Sequence, residues 1–224
     1  MLKVQLHAHT GSDPRDKWIS YSEKDLIDLA AEKKYDVLSI TCHQKLVFSQ
    51  SLKKYAARKG ILLIPGIEKR VDEKDVLIIN ATKKAEEITN FRDLKKYKYK
   101  NPDCLIIAPH PFYKLHSLGK KLIHKLKLFD AVEYSFFYSK RLNPNKKVLE
   151  LGIPVVGTSD IHFLDFIDST YTLVDAKKDT KSVIKAIKQG KIKIKTTPLT
   201  IPRIAHTAIR MGTLGPISRL VKKG

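Results

Sequence analysis

The sequence predicts an α/β fold built on a parallel sheet, and two observations carry that expectation. Short apolar runs alternate with segments of helical spacing along most of the chain, and histidines and carboxylates recur just after those runs. The first run, Val4 to Leu6, leads into a histidine pair. Ser22 to Lys34 then carry Leu26, Ile27, Leu29 and Ala30 at helical spacing, with Ser22 as N-cap. Val37 to Thr41 form the next strand. Lys45 to Lys59 form a helix ended by Gly60, and Ile61 to Ile64 a strand closed by Pro65-Gly66.

Further strands are expected at Val76 to Asn80, Leu105 to Ala108, Ala131 to Tyr134 and Val155 to Thr158, with helices over 83–99, 116–127 and 141–151. Tyr171 to Val174, a helix over 181–189 stopped by Gly190 and a strand from Ile192 to Thr196 complete the body. Pro198 and Pro202 mark a break. Beyond it the tail carries Ile204, Ala208 and Ile209 among Arg203, Arg210, Arg219, Lys222 and Lys223, which predicts a basic amphipathic helix packed on the domain.

At 224 residues the chain is long enough for one main domain around one core. No run of 18 or more apolar residues suggests a membrane span. His7, His9 and Asp13 interrupt the place where a secretory leader would be apolar, so a cytoplasmic protein is expected. Cys42 and Cys104 lack any Cys-x-x-Cys spacing and are expected as buried free thiols. Forty-three Lys and Arg against 23 Asp and Glu give a net charge of +20, spread from Lys3 to Lys223. Such a field attracts phosphorylated metabolites and nucleic acid, although a solvated basic surface accounts for it equally well.

The chemistry-bearing residues sit where strands end. His7 and His9 follow the first strand, His43 the second, Glu68 the third, His110 a later one, and Asp160 with His162 another. Side chains two residues apart on a strand point the same way, so each of the pairs His7/His9 and Asp160/His162 can grip one ion. In a barrel the C-terminal ends of the strands converge on one face. Imidazoles and carboxylates are good ligands for borderline divalent ions, and a mixture leaves positive charge to receive a phosphate.

With these residues in view, the chain resembles the PHP (polymerase and histidinol phosphatase) superfamily of metal-dependent phosphoesterases. The matching segments are Leu6-His-Ala-His-Thr10, Ile40-Thr-Cys-His43, Pro65-Gly-Ile-Glu68, Ala108-Pro-His-Pro111 and Gly157-Thr-Ser-Asp-Ile-His162, and the likeness reaches residue 196. The resemblance implies a distorted (β/α)7 TIM-like barrel over residues 1–196, followed by the tail at 197–224. It implies two or three divalent ions, zinc, manganese or iron, at the C-terminal mouth. His7, His9, Glu68 and Asp160 would hold one ion, Glu68 would bridge to a second shared with His110, and His43 with His162 would hold a third. Either Asp13 or Asp16 would join that last pair. His43 or His162 is the alternative proton donor to the leaving group, and Asp160 belongs with them among the catalytic residues.

Two positions depart from the family pattern. Cys42 precedes His43 where an aspartate is common, and Asp75 stands where a histidine is common, as a further candidate ligand. Lys69, Arg70 and Arg141 are candidate phosphate-binding cations. Glu133 ends a strand and is either a support for a ligand or ordinary packing, while His116, His124 and His206 are expected at the surface. The implied activity is hydrolysis of a small phosphomonoester, a nucleotide or an oligonucleotide end by metal-activated water. The alternative is a nucleic-acid-binding or assembly protein whose ions are structural or vestigial.

Overall fold

The computed structural model describes residues 1–113 and 116–220, with 211–220 as backbone only, so the side chains of Arg219, Lys222 and Lys223 lie outside the described residues. The protein is mixed α/β, with a nearly closed barrel-shaped sheet of nine strands. In chain order these are β1 (Leu2–Gln5), β2 (Val37–Ile40), β3 (Leu62–Val71), β4 (Lys74–Ile79), β5 (Leu105–Ala108), β6 (Ala131–Ser135), β7 (Val155–Thr158), β8 (Thr170–Val174) and β9 (Ile192–Thr196). The helices are α1 (Glu23–Glu32), α2 (Gln50–Arg58), α3 (Phe91–Lys100), α4 (Lys121–Lys125), α5 (Lys146–Leu149), α6 (Thr180–Lys188) and α7 (Ile201–Leu220).

The strand order is β7-β6-β5-β4-β3-β2-β1-β8-β9. Pairing is parallel for β1–β2, β2–β3, β5–β6 and β6–β7, whereas β4 and β8 run against both of their neighbours. This corrects the expectation of uniform strand–helix repeats. The cause at β4 is a two-residue hairpin, since Asp72 and Glu73 both adopt positive φ (45° and 62°) between β3 and β4. Positive φ at both central residues is the geometry that matches strand twist, although neither residue is the glycine or asparagine that usually announces it.

The same hairpin explains a second correction: Pro65-Gly66 does not close β3. The strand runs on through Val71, with Pro65 opposite Ile40 and Gly66 opposite Ile79. A Cβ at Gly66 would collide with Ser39 Oγ and with Thr41 Cγ2, so glycine lets two strands approach here. At the barrel seam a Cβ on Gly157 of β7 would lie 2.7 Å from Ile194 Cγ2 and 2.9 Å from Thr170 Cγ2. Gly157 N–H donates to Thr172 Oγ1, whose hydroxyl donates back to Gly157 O, both at 2.9 Å.

Several expected helices are shorter. Lys45 to Ser49 form a loop, and α2 begins after the Ser49 cap, whose hydroxyl accepts Leu52 N–H. The segment 83–99 divides into a 3-10 turn at Lys83–Glu87 and α3, and the helices within 116–127 and 141–151 shrink to α4 and α5. At α1 the Ser22 cap is present, with Ser22 and Asp25 bonding reciprocally, and Leu26, Ile27 and Ala30 are buried.

Helix α6 places Val183, Ile184, Ala186 and Ile187 in one cluster with Val4, Val37, Leu105 and Ala131, residues from the early parts of the parallel strands. It therefore covers the end of the barrel away from the ligand-bearing strand ends. The tail's α7 meets the body through Thr207, which is buried, and Ile204, which packs beside Phe136, Phe163 and Phe166. No helix among the described residues is long and apolar enough to cross a membrane.

Candidate metal centre

Two isolated bridges beyond the regular strands bring the site together. Ala8 pairs in parallel with Ile161, through His9 N–H to Ile161 O at 2.9 Å and Ile161 N–H to His7 O at 3.2 Å. Ala8 and Ile161 are buried in one apolar cluster, so His7 and His9 alternate to the other side, as do Asp160 and His162. A second bridge joins His43 and Glu68, with Gln44 N–H donating to Glu68 O and Glu68 N–H to Cys42 O. Asp160 (φ 43°) and His110 (φ 29°) both adopt positive φ, a strained backbone for such residues and one that structure retains mostly at functional sites.

The donor atoms converge closely. His7 Nε2 lies 3.1 Å from Asp160 Oδ1 and 3.3 Å from Glu68 Oε2, and His9 Nε2 lies 3.2 Å and 3.4 Å from the same two atoms. His43 Nε2 is 3.1 Å from Glu68 Oε2, and His110 Nε2 is 3.3 Å from Glu68 Oε1. His162 Nε2 and His43 Nδ1 reach Asp16 Oδ2 at 3.1 Å and 3.3 Å. Among the described residues four sets of donors lie mutually within 4.8 Å: His9/Asp16/His43/His162, His7/His9/Glu68, His7/His110/Asp160 and Glu68/Asp75/His110.

These residues fit bound divalent ions. With metal–ligand distances of about 2.1 Å, neighbouring donors lie about 3.0 Å apart in an octahedron and about 3.4 Å apart in a tetrahedron, which brackets the spacings here. His9 Nε2, Glu68 Oε1 and Asp160 Oδ1 are also buried without a hydrogen-bond partner. Orphaned buried polar atoms are costly, and each of these three belongs to a residue of at least one of the four donor sets, where a cation would satisfy it.

The electrostatics agree. Burial alone would push the His7 and His162 imidazoles down, but the carboxylates around them, Asp160 foremost, hold both well above the ordinary value. His43 is likewise raised to about 10, against the effect of burial, by Glu68, Asp13 and Asp16, and His110 to about 9 by Glu68, Glu133 and Asp160. Burial opposes the charge on Glu68 and Asp160 as well, yet the surrounding histidines keep both carboxyls well below the usual range. A cluster that binds protons this firmly offers the charge that a divalent ion would replace.

Asp13 and Asp16 differ in their surroundings. Asp13 Oδ1 accepts the N–H groups of Arg15 and Asp16, while Oδ2 accepts His43 N–H at 2.8 Å and meets the Nδ1 atoms of His9 (2.8 Å) and His43 (3.0 Å). Asp16 is more open and faces His43 and His162, with the Trp18 indole N–H donating to its Oδ1 at 3.3 Å. Glu133, wholly buried, lies 3.2 Å from His7 Nδ1 and accepts His110 N–H at 2.9 Å and the Thr158 hydroxyl at 2.5 Å. A carboxylate behind a histidine orients that ring and raises its basicity.

The candidate phosphate-binding cations are dispersed. Lys69, next to Glu68 on β3, points to the opposite side and donates to Glu86 O at 2.6 Å. Arg141 is exposed near Pro198 and Leu199, apart from the cluster. Arg70 donates to Asp75 at 2.6 Å and to His116 Nδ1 at 2.6 Å, so His116 sits in a partly buried turn rather than on a surface helix. His124 and His206 are exposed, and Cys42 and Cys104 are buried free thiols. Trp18 and Thr158 escaped sequence reasoning, because neither is a ligand type and their contacts span the fold.

No protein-family model and no curated protein matches the chain. Solved structures do. A two-domain protein from Bacteroides vulgatus, described as containing a predicted PHP-like metal-dependent phosphoesterase, superposes with a TM-score of 0.66 at 19% identity over 87% of this chain. The chain spans 64% of that protein's length. PsfC from Pseudomonas syringae gives a TM-score of 0.62 at 17% identity, covering 98% of both chains. A proposed metal-dependent phosphoesterase from Bifidobacterium adolescentis gives 0.51 at 11% identity over 71% of this chain and 87% of its own. At these identities the likeness establishes the fold.

Proposed function

We propose that the chain is a metal-dependent hydrolase of phosphate esters, with residues 1–196 as its catalytic unit followed by a basic tail at 197–224 that meets it through Ile204 and Thr207. The observation that carries this reading is the convergence of His7, His9, His43, Glu68, His110, Asp160 and His162 into overlapping donor sets, within which His9 Nε2, Glu68 Oε1 and Asp160 Oδ1 are buried without hydrogen-bond partners. Two or three ions, zinc, manganese or iron, suit this donor set, and when bound they supply Lewis acidity that lowers the pKa of water to about 7 and neutralises phosphate charge. His7, His9, Glu68 and Asp160 would hold one ion, with Glu68 reaching toward His110 for a second. His43, His162 and Asp16 would hold the third.

The remaining residues position these groups. Glu133 orients His7, Asp13 aligns the rings of His9 and His43, and Trp18 holds Asp16. The inner histidines His7 and His9 are sealed from solvent, while the side chains of Asp160, His110 and Asp16 retain 13%, 18% and 20% exposure, which leaves the outer edge open to a phosphate. His43 or His162 could alternatively protonate the leaving oxygen. The substrate is a small phosphomonoester, a nucleotide or an oligonucleotide end, classes that the +20 charge favours.

The test is a phosphatase and nuclease screen on metal-free protein reconstituted separately with manganese, zinc and iron, with His9→Ala and Asp160→Ala as controls. Hydrolysis restored in the wild type alone supports the reading. If no metal restores hydrolysis of any phosphate ester, the reading fails.

A further inference from the structure

A row of planar groups runs from the C-terminal helix to the candidate metal centre. Arg210 of α7 lies 3.7 Å above the centre of the Phe163 ring, Phe163 is 5.0 Å from Trp18, Trp18 is stacked 6.0 Å from His162 at 19°, and His162 is stacked 4.1 Å from His9. This row borders a cavity of about 380 Å³ whose lining includes Trp18, Tyr21, His162, Phe163, Asp165 and Arg210, with Ile19, Ser20 and Leu164 completing it. That volume is at the small end of sites that enclose organic ligands. A larger cavity of about 540 Å³ lies near α1 and α2, and its lining includes none of the candidate ligands.

The chemistry of the lining selects an occupant. Aromatic faces and a guanidinium plane favour a flat π-system over an aliphatic group. Among the described residues Asp165 makes only loose ion pairs, 3.5 Å from Arg203 and 3.9 Å from Arg210, and its side chain is 52% exposed, so its oxygens can still accept N–H groups. The same carboxylate opposes a second phosphate in this place. A neutral heteroaromatic ring with N–H donors meets both conditions.

We propose that this cavity is the leaving-group subsite of the enzyme, and that it receives the base of a nucleoside phosphate whose phosphate lies at the metal centre. The position of the phosphate rests on the phosphoesterase reading, whereas the base site rests on the cavity itself. Arg210 makes α7 part of substrate recognition.

Trp18 is the only tryptophan in the chain, so its fluorescence reports on this cavity. Titration of the metal-loaded full chain with adenosine should quench it saturably, and ribose should not. Arg210→Ala should weaken adenosine binding about tenfold, and Arg210→Lys, which keeps the charge without the planar stack, should weaken it by a smaller factor. The ratio of kcat/KM for adenosine 5′-monophosphate over glycerol phosphate should fall in Arg210→Ala, through KM. No saturable quench, or adenosine binding by Arg210→Ala equal to that of the wild type, overturns the subsite. Quenching by adenosine without turnover of either ester leaves the base site standing and sinks the phosphoesterase reading. Equal turnover of both esters without quenching does the reverse.

Discussion

His7 Nδ1 lies 3.2 Å from Glu133 Oε2, and both side chains are wholly excluded from solvent. Glu133 reaches His7 from β6 while its other oxygen is fixed by the Thr158 hydroxyl of β7, so three strands combine to aim one imidazole. Replacing Glu133 by Gln keeps the shape and removes the charge. Metal affinity should fall roughly 10- to 100-fold, measured by competition with a chelator. Affinity within a factor of two of the wild type would show that Glu133 is ordinary packing.

The two aspartates after the histidine pair should separate by experiment. Asp16→Asn should lower the number of ions bound per chain, read by metal analysis, with little change in melting temperature. Asp13→Asn removes the charge from a buried carboxylate that accepts three backbone N–H groups and contacts two imidazoles. It should destabilise the metal-free fold by about 1–3 kcal/mol, read by denaturant titration. The opposite pattern would assign ligation to Asp13.

How far these features were legible in the sequence depends on their range. His7, His9, Asp160 and His162 were readable because alternation along a strand is local, and the apolar runs before them marked where strands end. The β3–β4 hairpin was not, since Asp72 marks a turn but Glu73 stands where a glycine would mark a two-residue hairpin, and Pro65-Gly66 mimicked a stop. The choice between Asp13 and Asp16 was equally hidden. It turns on which oxygens the N–H groups of Arg15, Asp16 and His43 already occupy, and one of these donors lies 30 residues away.

Acidity should act on the metal-free fold and on ion binding in opposite senses. His43 and His110 are raised to about 10 and about 9, above the ordinary value near 6.5, so their stabilisation is complete below about pH 6.5 and lost as pH rises through 9 to 10. Glu68 and Asp160 are depressed, so their contribution is present above about pH 4.5 and lost at lower pH. The metal-free melting temperature should therefore decline from pH 6.5 to pH 10. Ligation requires neutral imidazoles, so ion binding releases protons and the gain in melting temperature on adding metal should grow over that window. A gain of equal size at pH 6.5 and pH 9.5 would count against these histidines as ligands.

Arg70 and Asp75 form an ion pair 2.6 Å apart whose side chains are only 15% and 7% exposed, beside the Glu68 and His110 carboxylate and ring. Removing one partner of such a pair strands a buried charge, so Asp75→Ala should cost about 3–5 kcal/mol, and Arg70→Met with Asp75→Leu should cost much less. The same residue is a candidate ligand, and the two roles separate by condition. A loss of equal size in metal-free and metal-loaded protein assigns Asp75 to the ion pair alone. A loss markedly larger in the loaded form, accompanied by fewer bound ions, assigns it to the metal centre, with Arg70 as the group that holds its carboxylate in place.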